Sequence, residues 1–103
     1  MRAKRTDANH TEIADAFEKV GFSVDKTNDL WDLTVGFGGL TRLVEVKDGK
    51  KPPSARKLTK REQKFHNTWT GGILLVTSVE QIPEIKRTLL DDLDAIRKAR
   101  VLA

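Results

Sequence analysis

The glycine pair Gly38-Gly39 separates two runs of β-forming residues and constrains the fold more than any other feature of this sequence. A glycine pair between β-formers is a strong signal for a hairpin with a two-residue turn. Counting outward from that turn along both strands brings Asp32 directly across from Glu45. A three-residue loop would shift this register. With the two-residue turn, the sequence predicts two acidic side chains on one face of a hairpin.

The alternation of side chains gives this hairpin two chemically different faces. Opposed residues of an antiparallel pair have Cβ atoms roughly 4.5–5.5 Å apart, so the two acids are predicted neighbours. Lys47, two residues beyond Glu45, lies on the same face about 6.6 Å farther along. The opposite face carries an apolar set that suits a core, namely Leu33, Val35, Val44 and Val46.

Two carboxylates held this close repel each other, so one takes a proton or a cation sits between them. Mg²⁺ prefers hard oxygen ligands and commonly uses one or two carboxylates together with substrate phosphate. A lysine beside such a site can contact a phosphate oxygen or the attacking water. The pattern therefore favours metal-assisted hydrolysis of a phosphate ester. The alternative is a surface salt bridge from Lys47 to Glu45 or Asp32, worth at most about 1 kcal/mol.

Capping signals predict two helices around the hairpin. Asn9, with Glu12 three residues later, has capping-box spacing at the start of a first helix, which ends at Gly21. Thr59 and Glu62 repeat that spacing at the start of a second helix, predicted over residues 59–68. Each helix is thus expected to begin with a side chain bonded to its own first turn.

The remaining elements complete an α/β domain. Residues 22–26 and 73–76 are predicted strands, and Ser78 opens a final helical region that Pro83 either splits or begins. That region has an amphipathic stripe of Ile82, Ile85, Leu89, Leu93 and Ile96. The order α-β-β-β-α-β-α predicts a mixed central sheet flanked by helices. Because the chain has 103 residues, we expect one domain over 1–103.

Basic residues are concentrated in one part of the chain. The formal net charge is +4, and only Asp48 and Glu62 oppose the basic residues between Lys47 and Lys64. Such clustering indicates a polyanionic partner, with a solvated lysine-rich loop as the alternative. The predicted nucleic-acid-binding residues are Arg5, Lys50, Lys51, Arg56, Lys57, Lys60, Arg61 and Lys64.

Cysteine is absent, which excludes disulfides and thiolate metal sites. No apolar run approaches the roughly 20 residues that a membrane span needs, and no apolar secretory segment is recognisable. We therefore expect a cytoplasmic protein without a membrane partner.

The segments around the two acids resemble the bipartite signature of PD-(D/E)XK nucleases. They read Asp32-Leu33-Thr34-Val35-Gly36 and Glu45-Val46-Lys47-Asp48-Gly49. Within that superfamily the chain is most similar to small phage-type endonucleases related to VRR-NUC domains and archaeal Holliday-junction resolvases. The similarity covers roughly residues 5–78 and implies a restriction-endonuclease-like fold. Trp31 stands where the family name expects proline.

This resemblance implies roles for individual residues. Asp32 and Glu45 would bind Mg²⁺, with Mn²⁺ as a substitute, and the backbone carbonyl of Val46 would be an extra ligand. Lys47 would orient or help deprotonate the attacking water and offset charge at the phosphate.

Two helical residues complete the set that the resemblance implies. Glu12 would support the metal or a second ion, although its spacing alone favours a capping role. Gln63 would reach the site from the second helix to fix the water or a phosphate. His10 and His66 are expected to be structural, and Phe65 and Trp69 are expected in the core.

The implied activity is a Mg²⁺-dependent endodeoxyribonuclease, with branched DNA among the candidate substrates. Relatives that act on branched DNA work as dimers, so a homodimer is expected, in a bacterial or phage-infected cell. General nicking, RNA cleavage and a non-catalytic module that binds nucleic acid or a host protein are the alternatives.

Overall fold

The structure, a computed structural model, describes residues 9–27, 29–47 and 58–102. The helices are α1 (His10–Lys19), α2 (Lys60–Thr68) and α3 (Ile82–Leu102), and a single 3₁₀ turn, Val79–Gln81, precedes α3. The strands are β1 (Ser23–Lys26), β2 (Leu33–Phe37), β3 (Leu40–Val46) and β4 (Leu74–Val76). The predicted α-β-β-β-α-β-α order is confirmed.

The sheet is mixed, as predicted, with strand order β1-β2-β3-β4. The first two pairings are antiparallel, and β3 pairs with β4 in parallel. Leu33 lies opposite Val44, which is the register expected for a two-residue turn. Gly38 and Gly39 have φ angles of 59° and 92°. Positive φ at both central residues is the requirement of the hairpin turn that glycine meets without steric cost.

The core lies on one face of the sheet, against α1 and α3. Apolar side chains of β2 and β3 meet Ile13 and Phe17 of α1 and Ile82 and Leu89 of α3. The residues of β2 and β3 in this cluster are Leu33, Val35, Val44 and Val46, the four predicted from alternation. Each fully buried side chain of this size contributes about 1.5–3 kcal/mol to folding. Because side chains alternate, Glu45 is directed to the other face of the sheet.

The predicted capping box of α1 is wrong. Asn9 is the N-cap residue, but its side chain makes no hydrogen bond to the helix. Its Nδ2 instead donates to the carbonyl oxygens of Lys47 at 3.1 Å and Thr77 at 3.2 Å. An amide group can donate to two acceptors, and the residues that follow β3 and β4 provide two carbonyls at one place. Asn9 therefore fastens α1 to the ends of two neighbouring strands.

The predicted capping box of α2 is confirmed. Thr59 accepts a hydrogen bond from the backbone N–H of Glu62, and the Glu62 side chain accepts one from the N–H of Thr59. Pro83 lies in the first turn of α3, where its missing N–H costs nothing, so it begins the long helix without splitting it.

The stripe on α3 packs on the sheet only in part. Leu89 is buried and Ile85 is half-buried, whereas Ile96 is exposed near the helix end. Within the part of the chain that is described, no helix has both the length and the apolar character needed to cross a bilayer.

Candidate active site

The acidic pair is built where β2 begins opposite the end of β3. Asp32 immediately precedes β2, and its N–H donates to the carbonyl of Val44 at 3.0 Å. The paired register ends at Leu33 opposite Val44, and this bond holds Asp32 beside the same residue of β3. Both acids are buried. The two acids are thus placed at neighbouring strand ends, and their direct opposition stays a prediction.

One oxygen of Asp32 has a backbone role that sequence patterns did not predict. Its Oδ2 accepts a hydrogen bond of 2.7 Å from the N–H of Val46. The carboxylate thereby bonds to the backbone of β3 beyond the last residue pair of β2 and β3. A hydrogen bond from an N–H to an ionised carboxylate is about twice as strong as one between neutral groups. This bond fixes Asp32 against β3, one residue beyond Glu45.

Glu45 and Lys47 form an ion pair with little access to solvent. The Lys47 Nζ lies 3.2 Å from Glu45 Oε1, and the two side chains are 16% and 2% exposed. The pairing considered from the sequence is therefore present, but it is not a surface salt bridge, because the carboxylate is buried. A charge in such a place needs a partner, because desolvation without one costs several kcal/mol.

His66 of α2 approaches the second oxygen of the same carboxylate. Its Nε2 lies 3.8 Å from Glu45 Oε2, and the histidine side chain is 21% exposed. The carboxylate of Glu45 is thus flanked by an ammonium group from its own strand and an imidazole from the helix. The sequence-based expectation that His66 is only structural left this contact out.

His66 could have been assigned to the site from the helical periodicity of α2. Phe65 and Trp69 are four residues apart, and Glu62 and His66 lie three residues before each of them. That spacing gives one helix face. Glu62 is buried and Phe65 and His66 are half-buried, so this face is turned toward the sheet. Gln63 lies outside it.

The two helical residues taken from the resemblance lie away from the acidic pair. Gln63 is exposed, and its Nε2 donates to Asn67 Oδ1 at 2.8 Å on the solvent side of α2. Glu12 is exposed on α1, and no contact among the described residues joins it to Asp32 or Glu45. Their catalytic roles stay predictions, and this arrangement gives them no support.

The donor set of the site suits a hard cation. Among residues 9–27, 29–47 and 58–102, no three His, Asp or Glu side chains converge as a metal-binding group. Mg²⁺, however, is commonly held by one or two carboxylates, with water and substrate phosphate as its other ligands. Asp32 and Glu45 supply two such carboxylates at the neighbouring ends of β2 and β3, and the Val46 carbonyl stays the predicted extra ligand. The residues present therefore fit Mg²⁺ when substrate and water complete its coordination.

Three of the predicted nucleic-acid-binding residues are described. Lys60, Arg61 and Lys64 are exposed on α2, and Arg61 pairs with Asp29 at 3.2 Å. This helix therefore presents positive charge to solvent. The other predicted residues, Arg5, Lys50, Lys51, Arg56 and Lys57, lie outside the described residues.

Comparisons with protein-family models, with curated proteins and with solved structures found no match to this chain. The likeness to PD-(D/E)XK nucleases therefore depends on the motif residues and on the order of the elements.

Proposed function

We propose that this protein is a Mg²⁺-dependent DNA endonuclease that hydrolyses phosphodiester bonds. The observation that carries the proposal is the environment of Glu45. This buried carboxylate belongs to the residue before Val46, whose N–H bonds to Asp32, and it is contacted by the ammonium group of Lys47. An acid pair with an adjacent lysine suits attack on a phosphate ester better than any reaction of a neutral substrate.

Different side chains of the protein would have different roles in hydrolysis. A bound cation would supply Lewis-acid stabilisation of the negative charge on the phosphate. Asp32 and Glu45 would hold that cation, while Lys47 would orient the attacking water or a phosphate oxygen. His66 would keep the Glu45 carboxylate in place from the helix side. Positioning and charge stabilisation must together supply an acceleration of up to about 10¹⁷-fold, or about 23 kcal/mol of barrier.

Substrate binding is proposed to depend on the phosphate backbone. Lys60, Arg61 and Lys64 are exposed on α2, and the predicted basic residues at 50–57 and Arg5 would add to them. Lysine and arginine contacts to phosphate position a protein on DNA without reading its sequence. This distribution favours selection by DNA structure, as in junction resolvases.

A homodimer in a bacterial or phage-infected cytoplasm completes the proposal. A domain of about 100 residues buries only about 60–65% of its unfolded surface, so a second subunit would add core. Leu90 and Ile96 are exposed apolar residues of α3 that such a subunit could cover. Sedimentation at micromolar concentration should then show a dimer, and a monomer would remove this part of the proposal.

The alternative is a non-catalytic module that binds DNA or a host protein. One observation favours it: the polar partners of both acids come from the protein itself. Lys47 pairs with Glu45, and the Val46 N–H donates to Asp32. An acidic site satisfied in this way can persist without any ion.

A nicking assay separates these two functions. Supercoiled plasmid and branched DNA are incubated with the protein in Mg²⁺, Mn²⁺ or EDTA. The proposal expects cleavage with either metal, none in EDTA, and loss of cleavage in Glu45→Gln and in Lys47→Ala. Glu80→Gln and Lys98→Ala are the matched controls, because they make the same changes at exposed positions. Cleavage retained in both site variants would discredit the site, and no cleavage of any nucleic acid would favour the binding module.

A further inference from the structure

Three aromatic rings are stacked beside the acidic pair. Trp31 stacks on Phe65 with centroids 5.2 Å apart, and Phe65 stacks on Trp69 with centroids 5.5 Å apart. The interplanar angles are 24° and 21°, so the three rings are nearly parallel. We refer to Trp31, Phe65 and Trp69 as the aromatic ladder. The expectation that Trp69 belongs to the core is wrong, because this residue is 45% exposed.

The aromatic ladder is joined directly to the candidate site. Trp31 is the residue before Asp32, and Phe65 is the residue before His66. The Phe65 and His66 rings also touch, with centroids 6.0 Å apart in an edge-to-face arrangement. The ladder therefore adjoins both Asp32 and His66, the helix residue that approaches Glu45.

The two indole groups of the ladder are held in fixed positions by their own hydrogen bonds. The Nε1 of Trp31 donates to Thr34 Oγ1 at 2.8 Å, and the Nε1 of Trp69 donates to the carbonyl of Gly72 at 3.0 Å. Both polar atoms are thus satisfied within the protein. What Trp69 offers to solvent is rigid apolar ring surface.

Gly71 shows which part of the Trp69 ring is accessible. A Cβ atom at Gly71 would lie only 2.7–2.9 Å from Cζ2, Cε2 and Nε1 of the indole. The glycine backbone therefore packs against one part of the ring, next to its nitrogen. Despite this contact 45% of the residue stays exposed. A structural anchor for α2 alone would not require a large aromatic surface to stay in solvent.

The exposed charges of α2 indicate a nucleic acid as the ligand of the aromatic ladder. The exposed ionised side chains of α2 are Lys60, Arg61 and Lys64, and all three are positive. Glu62, the acid of this helix, is buried in the capping box. Aromatic rings next to lysine and arginine are the combination that binds single-stranded nucleic acid. In a duplex the faces of the bases are stacked on each other and cannot reach such a ring.

We propose that the aromatic ladder is a stacking site for an unpaired base of DNA. This inference rests on the proposed nuclease function, which names the class of ligand, and it deepens that function. The substrate is then DNA with a single-stranded segment, such as a flap, a gap or a splayed arm. The unpaired strand stacks on the ladder while the basic residues of α2 hold its phosphates.

Intrinsic fluorescence tests this proposal directly, because the chain has only two tryptophans and both belong to the ladder. The full chain is titrated in EDTA with a dT oligomer of about 12 nucleotides and separately with a blunt duplex of mixed sequence. EDTA removes cleavage from the measurement. The oligomer should quench tryptophan emission and bind more tightly than the duplex. An unchanged emission spectrum at saturating oligomer would overturn the proposal without any variant.

Variants then assign the binding to the exposed ring. Trp69→Leu should weaken oligomer binding about 5- to 100-fold by anisotropy of a labelled strand, the range measured for loss of one base–aromatic stack. Thr88→Ala is the control, because Thr88 is exposed on α3, which packs on the other face of the sheet. Trp69→Phe keeps a ring and should retain most of the affinity. Equal binding by wild type and a folded Trp69→Leu would refute the stacking site.

Cleavage and oligomer binding are measured separately, so failure of the stacking site can be distinguished from failure of the proposed nuclease function. Plasmid cleavage without oligomer binding would overturn the stacking site and leave the nuclease standing. Oligomer binding that depends on Trp69, without cleavage under any metal, would support the stacking site and refute the nuclease.

Discussion

Glu45 Oε1 lies 3.2 Å from the Nζ of Lys47 although the glutamate side chain is almost completely withdrawn from solvent. An ammonium group at this distance compensates a carboxylate that would otherwise be costly to bury. The sequence spacing Glu45-Val46-Lys47 produces the contact because residues two apart on a strand share a face. The same pair would supply a metal ligand and a phosphate contact in the proposed reaction.

Removing Lys47 should destabilise the fold as well as abolish cleavage. Lys47→Met removes the ammonium group that pairs with the buried Glu45 carboxylate, which costs about 3 kcal/mol of unfolding free energy. Adding Glu45→Gln to that variant should recover part of the loss, since a neutral amide needs no counter-charge. Urea denaturation of the two single variants and the double variant measures this coupling. Strictly additive losses would show that the two side chains do not stabilise each other.

His66 should matter more to cleavage than Gln63 does. His66 Nε2 lies 3.8 Å from Glu45 Oε2, whereas Gln63 points to solvent and bonds to Asn67. Loss of a residue that supports a metal ligand typically costs 10- to 100-fold in affinity or activity. We expect such a loss of kcat in His66→Ala, and a smaller one in Gln63→Ala, at saturating Mg²⁺. A larger loss in Gln63→Ala would restore the role that the family resemblance assigned to it.

Asn9 should contribute to stability through the carbonyls of Lys47 and Thr77. Asn9→Ala removes both donors from part-buried acceptors, and we expect unfolding to become easier by about 1–3 kcal/mol. Asn67→Ala is the matched control at an exposed position of α2, with an expected effect of about 0.5 kcal/mol or less. Thermal or urea unfolding gives both values. Equal effects of the two variants would mean that the Asn9 bridge adds nothing to the fold.

DNA binding should depend steeply on salt. If about six phosphates are neutralised, affinity falls roughly a thousandfold between 50 and 200 mM salt. Lys64→Ala should reduce the slope of log affinity against log salt by about one. Anisotropy titrations in EDTA measure the slope, and competition with RNA of the same sequence tests the preference for DNA. A flat salt response would contradict binding through the phosphate backbone.

The hairpin was predictable from sequence because its turn fixes its register. Once Gly38-Gly39 forms a two-residue turn, the pairing of β2 with β3 follows, from Phe37 opposite Leu40 back to Leu33 opposite Val44. The alternation of apolar residues on the other face is consistent only with that register. The strand pairing next to the two acids was therefore predicted from local chemistry alone.

The helical contribution to the site could not be predicted from a motif match. The resemblance selected Gln63, but packing of α2 on the sheet turns Phe65 and His66 inward and leaves Gln63 in solvent. The bridge from Asn9 was missed for a related reason. It depends on where two distant strands end, which capping-box spacing does not encode.

The central claim is that Asp32 and Glu45 share a divalent cation, and anomalous diffraction from crystals soaked in Mn²⁺ tests it most directly. The account predicts one anomalous peak within ligand distance of both carboxylates, and its loss in crystals of Glu45→Gln. If saturating Mn²⁺ gives no peak between these two acids in well-ordered crystals, the proposed metal-dependent reaction at this site is contradicted.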